Sequence, residues 1–248
     1  MKNIKLKLSL LVSLLAIPFV SQAQGNIFDD PQNLKVLPKD INPLQLRATM
    51  RGFALGTGYR CTGCHVGEEG KPLDTFDFPS DEKQTKKTAR LMIEMVREIN
   101  QRLENELGKE TAELVKVECV TCHRGQHRPI MLDDLLVTSV SEDGVEQGLA
   151  KYRELRGTYY GTHTYDFGEM TLINVAERLV ASNQTDGALK FLDLNIEFDP
   201  GAWMSHVAKG RIHARGGDKL AARKCLESAL EIDPNNAFIK NMIRELGD

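Results

Sequence analysis

Cys61-Thr62-Gly63-Cys64-His65 and Cys119-Val120-Thr121-Cys122-His123 decide the reading of this 248-residue chain. Each is Cys-x-x-Cys-His, the spacing with which two thiols add across the two vinyl groups of one porphyrin. The histidine that follows the second cysteine directly is then held under the iron as an axial ligand. Two copies predict two covalently attached haem c groups, with Cys61, Cys64, Cys119 and Cys122 as the thioether residues and His65 and His123 on iron. Zinc is the competing reading of paired cysteines, but a four-cysteine zinc site has no need of a histidine at the same offset in each pair. A redox dithiol sits at a strand-to-helix turn, and neither pair follows a strand pattern. Cys225 stands alone far downstream and reads as a small buried hydrophobe.

The beginning of the chain agrees with extracytoplasmic haem attachment. Lys2, Lys5 and Lys7 precede an apolar run from Leu8 to Val20, and Ser21-Gln22-Ala23 forms a small-x-small cleavage site. Residues 1–23 therefore read as a secretory signal peptide, the apolar run being too short to span a bilayer. The periplasm is the expected destination. No cysteine for a lipid anchor stands at the cleavage site, and no later segment approaches the length of a membrane span, so a soluble mature protein is expected. A formal net charge of −3 without a basic tract argues against nucleic acid or an anionic membrane as partner. Lys83, Lys86, Lys87 and Arg90 form the one local cationic cluster, read as a solvated helix face with a docking patch as the alternative.

Between and before the motifs the pattern is helical. Asn42-Pro43 supplies a capping side chain and a first-turn proline, and Leu46, Met50, Phe53 and Ala54 recur at helical spacing until Gly56 and Gly58. A second helix is expected from Ser80 or Asp81 to about Leu107, with Asp81 and Gln84 resembling a capping box. Its stripe is Ala89, Met92, Met95, Val96, Ile99 and Leu103. A third, from Lys109 to about Val117, delivers the chain into the second motif. Each unit is thus a methionine-bearing helix followed by Cys-x-x-Cys-His. A low-spin electron-transfer haem takes a sixth ligand, commonly a thioether. Met50 is the candidate for the first haem, and Met92 or Met95, one turn apart, for the second. His127 reads as a surface or propionate-contacting histidine.

Ala48-Thr49-Met50-Arg51-Gly52-Phe53-Ala54 before the first motif resembles the haem-binding units of the photosynthetic reaction centre cytochrome c subunit family. So do Ala89-Arg90-Leu91-Met92 and Cys119-Val120-Thr121-Cys122-His123-Arg124-Gly125, within a stretch from about Leu34 to Arg128. The resemblance implies a helical multihaem cytochrome in which the methionine of each preceding helix ligates iron. By position it selects Met50 and, through the Arg-Leu-Met context, Met92 over Met95. The family carries four haems where this chain has two motifs. Its bis-histidine haem has no counterpart, since no histidine lies between His65 and His123.

Beyond residue 130, a connection over 131–143 is expected, then a second helical domain over 144–248. There Glu197-Phe198-Asp199-Pro200 recurs as Glu231-Ile232-Asp233-Pro234, the 34-residue tetratricopeptide period. Gly210, Ala222, Leu226 and Ala229 fall on the packing positions of one repeat, and Ala176, Ala188 and Leu192 on those of the other, where Asn195 replaces an expected alanine. Val145 to Arg156 reads as an added front helix and Asn236 to Leu246 as a closing one. Tyr159, Tyr160, His163, Tyr165 and Phe167 are expected at the domain junction. The fold class is therefore mostly α: residues 24–130 as a dihaem c-type cytochrome domain, then an α-hairpin repeat domain that docks a partner or caps the first. Single-electron transfer between redox partner proteins is the leading expectation. A peroxidase-like haem enzyme with one five-coordinate iron, or an assembly module with structural haems, is the alternative.

Overall fold

The computed structural model describes residues 26–247; the signal-peptide reading of residues 1–23 lies outside them. Those residues form twelve α-helices and one short 3-10 turn, Leu73–Thr75, and no strand beyond an isolated bridge between Val66 and Asp77. Helix α1 (Pro43–Thr57) begins where Asn42 Oδ1 accepts the Gln45 N–H at 2.9 Å, and ends at Gly58 with φ 71°. The two motifs are themselves short helices, α2 (Cys61–Cys64) and α5 (Cys119–His123). Between them lie α3 (Gln84–Leu107) and α4 (Lys109–Leu114).

Two helix starts or ends differ from the sequence expectation. Asp81 does not cap α3, which begins at Gln84 behind Lys83 with no side-chain cap. Asp81 instead takes Lys35 Nζ at 2.6 Å, Arg90 at 2.8 Å and Asn33 Nδ2 at 2.9 Å, tying the 33–35 segment to the helix. Those cations hold its carboxyl well below the usual carboxylate range, Lys35 foremost. Helix α4 stops at Leu114 rather than Val117, because Asn100 claims the Val117 backbone.

The segment 131–143, expected to be a connection, is helix α6 (Leu132–Asp143). Leu132, Leu136 and Val140 repeat every fourth residue and are all buried, at 4% exposure or less. The intervening Asp133, Asp134, Thr138 and Ser139 interrupt the apolar run between those positions. Helix α6 opens the C-terminal half, followed by α7 (Val145–Tyr159), α8 (Glu169–Ala181), α9 (Thr185–Phe198), α10 (Trp203–Arg215), α11 (Lys219–Ile232) and α12 (Ala237–Glu245). One core joins α6 to α9, with Tyr152, Leu172, Val175, Phe191 and Leu192 fully or nearly fully buried. A smaller one joins Val207, Leu226, Ala229 and Ile239.

The repeat positions behave as close-contact positions. A Cβ on Gly210 would meet Leu226 Cγ at 3.0 Å and the Ala222 carbonyl at 3.1 Å, while Ala222 and Ala229 are fully buried. Asn195, where alanine is expected, is buried and donates to the Glu169 carbonyl and to Ser205 Oγ, both at 2.8 Å. A polar residue sits in this core because both its amide hydrogens are satisfied. The aromatic segment belongs largely to the C-terminal core: Tyr165 is buried there, and Tyr159 and Phe167 pack against it.

The N-terminal half is built differently. Leu46 and Ala112 are its only buried apolar side chains among the described residues. Helix α3, 24 residues long, buries none of its residues, and Leu91, Met95 and Ile99 are 65%, 43% and 38% exposed. An amphipathic helix of this length ordinarily covers its apolar stripe with protein. Here protein does not supply the cover.

Candidate functional site

Helix α3 is the spine on which both motifs hang. At its start, Thr85 Oγ1 donates to the Gly63 carbonyl and Lys83 Nζ donates to the Thr62 carbonyl at 2.5 Å. These bonds hold the two variable residues of the first motif. Farther along, Asn100 Nδ2 donates to the Val117 carbonyl and Asn100 Oδ1 accepts the Val117 N–H, both at 2.8 Å. That two-way pair, an amide mimicking a strand edge, holds the backbone two residues before Cys119. Fifteen helical residues separate Thr85 from Asn100, roughly 22 Å along the axis. Sequence reading missed Thr85 and Asn100, because neither belongs to a motif; only the fold makes them neighbours of one.

The cationic cluster is largely consumed in this scaffold. Lys86 Nζ donates to the Phe78 and Ser80 carbonyls at 2.7 Å each, Arg90 pairs with Asp81, and Lys83 holds Thr62. These three side chains position the first motif's surroundings rather than lining a docking patch.

The second motif caps itself. The Glu118 N–H donates to Thr121 Oγ1 at 3.0 Å, and the Glu118 side chain answers the Thr121 backbone, closing a capping box around α5. Arg124 ends that helix in the left-handed region, φ 50°, and its carbonyl accepts Thr164 Oγ1 at 3.2 Å from the C-terminal half. A cleft of about 500 Å³ opens there, lined by Leu55, Val120, Arg124, His163 and Thr164.

Both histidines turn Nδ1 into the protein. His123 Nδ1 lies 2.9 Å from the Gln126 carbonyl, which fixes the N–H on Nδ1 and leaves Nε2 as the lone-pair nitrogen. His65 Nδ1 is buried without a hydrogen-bond partner, beside the Phe78 ring at 4.9 Å between centroids. Burial first, and then the Lys86 cation, lower the His65 pKa, with the Phe78 backbone acting in the opposite sense. The neutral imidazole is the metal-binding form. Burial likewise pushes the Cys64 and Cys119 thiols up.

All five cysteines are free thiols. The two pairs do not converge: among the described residues no three His, Cys, Asp or Glu side chains form a metal-binding group. A shared four-cysteine zinc site is therefore not built. Two thiols and an Nε2-presenting imidazole on each short helix are the donor set of covalent haem, so the residues present fit that group.

The methionines lie on the two longest N-terminal helices. Met50 is half-buried in the middle of α1, Met92 is half-buried on α3, and Met95 is the more exposed of its pair. Helix packing is crossed: α1 rests on α5, and α3 rests on α2. Each methionine helix thus braces the other unit's attachment helix. His127, by contrast, is exposed, with its ring stacked on Tyr59 at 3.9 Å and 1° between planes and Nε2 3.3 Å from the Gly58 carbonyl.

Described residues whose secondary structure is almost wholly helical, with two Cys-x-x-Cys-His helices on a common spine, define a c-type cytochrome class. The chain belongs to the photosynthetic reaction centre cytochrome c subunit family, whose description "Photosynthetic reaction centre cytochrome C subunit" matches residues 13–154. That span takes in both motifs, Met50, Met92 and α6, and ends within α7. The family is one of haem c electron carriers rather than enzymes. No individual curated protein matches the chain. Among the described residues, no helix is long and apolar enough to cross a membrane.

Proposed function

We propose that this chain is a periplasmic dihaem cytochrome that passes single electrons between two redox partner proteins. The observation that carries the reading is the N-terminal half without a core of its own. Its apolar side chains line helices that pack on the motifs, yet among the described residues only Leu46 and Ala112 are buried. Burying one Leu, Ile or Met contributes about 1.5–3 kcal/mol, so such a half gains its stability when two large apolar macrocycles occupy the stripe.

When bound, haem c supplies reversible one-electron chemistry at iron. The chain's own residues do the rest. Cys61, Cys64, Cys119 and Cys122 would tether it, His65 and His123 would supply imidazole nitrogens, and the Gln126 carbonyl orients the His123 ring. Met50 and Met92 are the proposed thioether ligands and would keep small molecules from the metal. The C-terminal helices, read as tetratricopeptide-like hairpins, are proposed to dock a partner or cap the haem half.

The test is a redox titration with optical and paramagnetic spectra on periplasmically matured protein. Two low-spin haems per chain are expected, and Met50→Ala and Met92→Ala each convert one of them to high spin while Met95→Ala converts none. A single haem, or a high-spin haem in the parent protein, rejects the two-carrier reading and favours the peroxidase-like one.

A further inference from the structure

Helix α1 meets the second motif at a close joint. The Gly125 N–H donates to the Gly56 carbonyl at 2.9 Å, and a Cβ on Gly56 would meet Cys119 Cβ at 3.0 Å. Against this seam Tyr59 and His127 lie face to face, 3.9 Å apart and parallel within 1°. Tyr59 stands two residues before Cys61 and His127 four residues after His123. Because Gln126 accepts from His123 Nδ1 and is bonded to His127, the groups form a continuous chain. It runs His123 ring, Gln126 carbonyl, His127 ring, Tyr59 ring, Arg60 backbone, Cys61. Only two links are non-covalent, the 2.9 Å hydrogen bond and the 3.9 Å stack.

From this geometry we infer that the Tyr59–His127 stack is the electronic bridge between the two haem sites. The inference rests on the dihaem reading. One electron leaves a ferrous site and reduces the ferric site opposite, with no bond broken and no proton moved; the rings stay closed-shell and serve as a tunnelling medium. Electron tunnelling decays far more steeply across empty gaps than along bonds and stacked rings. Two rings in parallel contact, joined by backbone to Cys61 at one end and through the Gln126 carbonyl hydrogen bond to the His123 ring at the other, are therefore a preferred route. The stack stands at the surface, with His127 exposed and Tyr59 half-buried, so its value for stability is small.

The test compares Tyr59→Leu, His127→Leu and the double variant with Tyr59→Phe, all as periplasmically matured holoprotein. Haem count by mass and both midpoint potentials are measured first; fewer than two haems in the parent would defeat the dihaem reading rather than the bridge. Intramolecular electron transfer after flash reduction of one site is expected to slow several-fold in each leucine variant, with potentials and absorption spectra unchanged. The double variant should be no slower than either single one, because both cut the same route. Tyr59→Phe, which keeps the ring, should retain the parent rate. In the reduced diamagnetic protein, the ring-current shift of the His127 protons should vanish in Tyr59→Leu and persist in Tyr59→Phe. Parent-like rates in both leucine variants would overturn the bridge. So would a slowing accompanied by a longer iron–iron distance in pulsed paramagnetic measurements, since the stack would then act only as a spacer.

Discussion

Gly58 is where the two halves of the haem region meet, and Gly58→Ala tests that joint. The residue ends α1 at φ 71°, and a Cβ there would fall inside the surface of the Gly125 carbonyl oxygen. A side chain in the left-handed region costs about 1–2 kcal/mol. Relief of the clash requires the 56–58 segment to move off residue 125, which removes the Gly125-to-Gly56 hydrogen bond, about 1 kcal/mol more. The expected loss is therefore about 2–3 kcal/mol, read as a lower denaturant midpoint for the holoprotein at unchanged slope. Gly52→Ala is the internal control. Gly52 lies within α1 with nothing within 4 Å of its would-be Cβ, so alanine there should stabilise by about 0.5–1 kcal/mol. If Gly58→Ala matches the parent midpoint, or if the two substitutions shift it alike, the close approach of α1 and α5 is not what holds the motifs together.

Two other perturbations separate the halves. Asn195→Ala, although alanine suits the repeat pattern, should lower C-terminal stability by about 1–3 kcal/mol by removing the amide that bridges Ser205 Oγ and the Glu169 carbonyl; circular dichroism melts with an unshifted haem spectrum check it. Asp81 has its folded pKa depressed, so its contribution is present above the ordinary carboxylate pKa and is lost as pH falls through the folded value. Acid titration of the parent and of Asp81→Asn should show the parent more stable at neutral pH and the two converging in strong acid; a gap that persists there would mean the carboxylate charge is not the cause.

Most of the helices were legible because their signals are local. Asn42-Pro43 opens α1 and Gly58 closes it as capping chemistry demands, and Asn236 does the same for α12. Helix α6 was hidden by acidic residues on its outer face, and its burial is a tertiary fact: Leu132, Leu136 and Val140 acquire a core only once α7 and α8 lie against them. Asp81 likewise satisfies a capping pattern on paper, but Lys35, Arg90 and Asn33, remote in sequence, outcompete the backbone N–H groups for its oxygens.

By itself the sequence carries the attachment pattern, since the thiol spacing and the adjacent histidine lie within five consecutive residues. It also determined the helical class and, through Leu34 to Arg128, the family resemblance that the match over 13–154 establishes. Tertiary structure alone decided how the motifs relate to each other. The α3 anchors at Thr85 and Asn100, the crossed packing of α1 on α5 and α3 on α2, and the Tyr59–His127 stack all join residues distant in the chain. No local pattern encodes such pairs, because their energy exists only after the helices have packed.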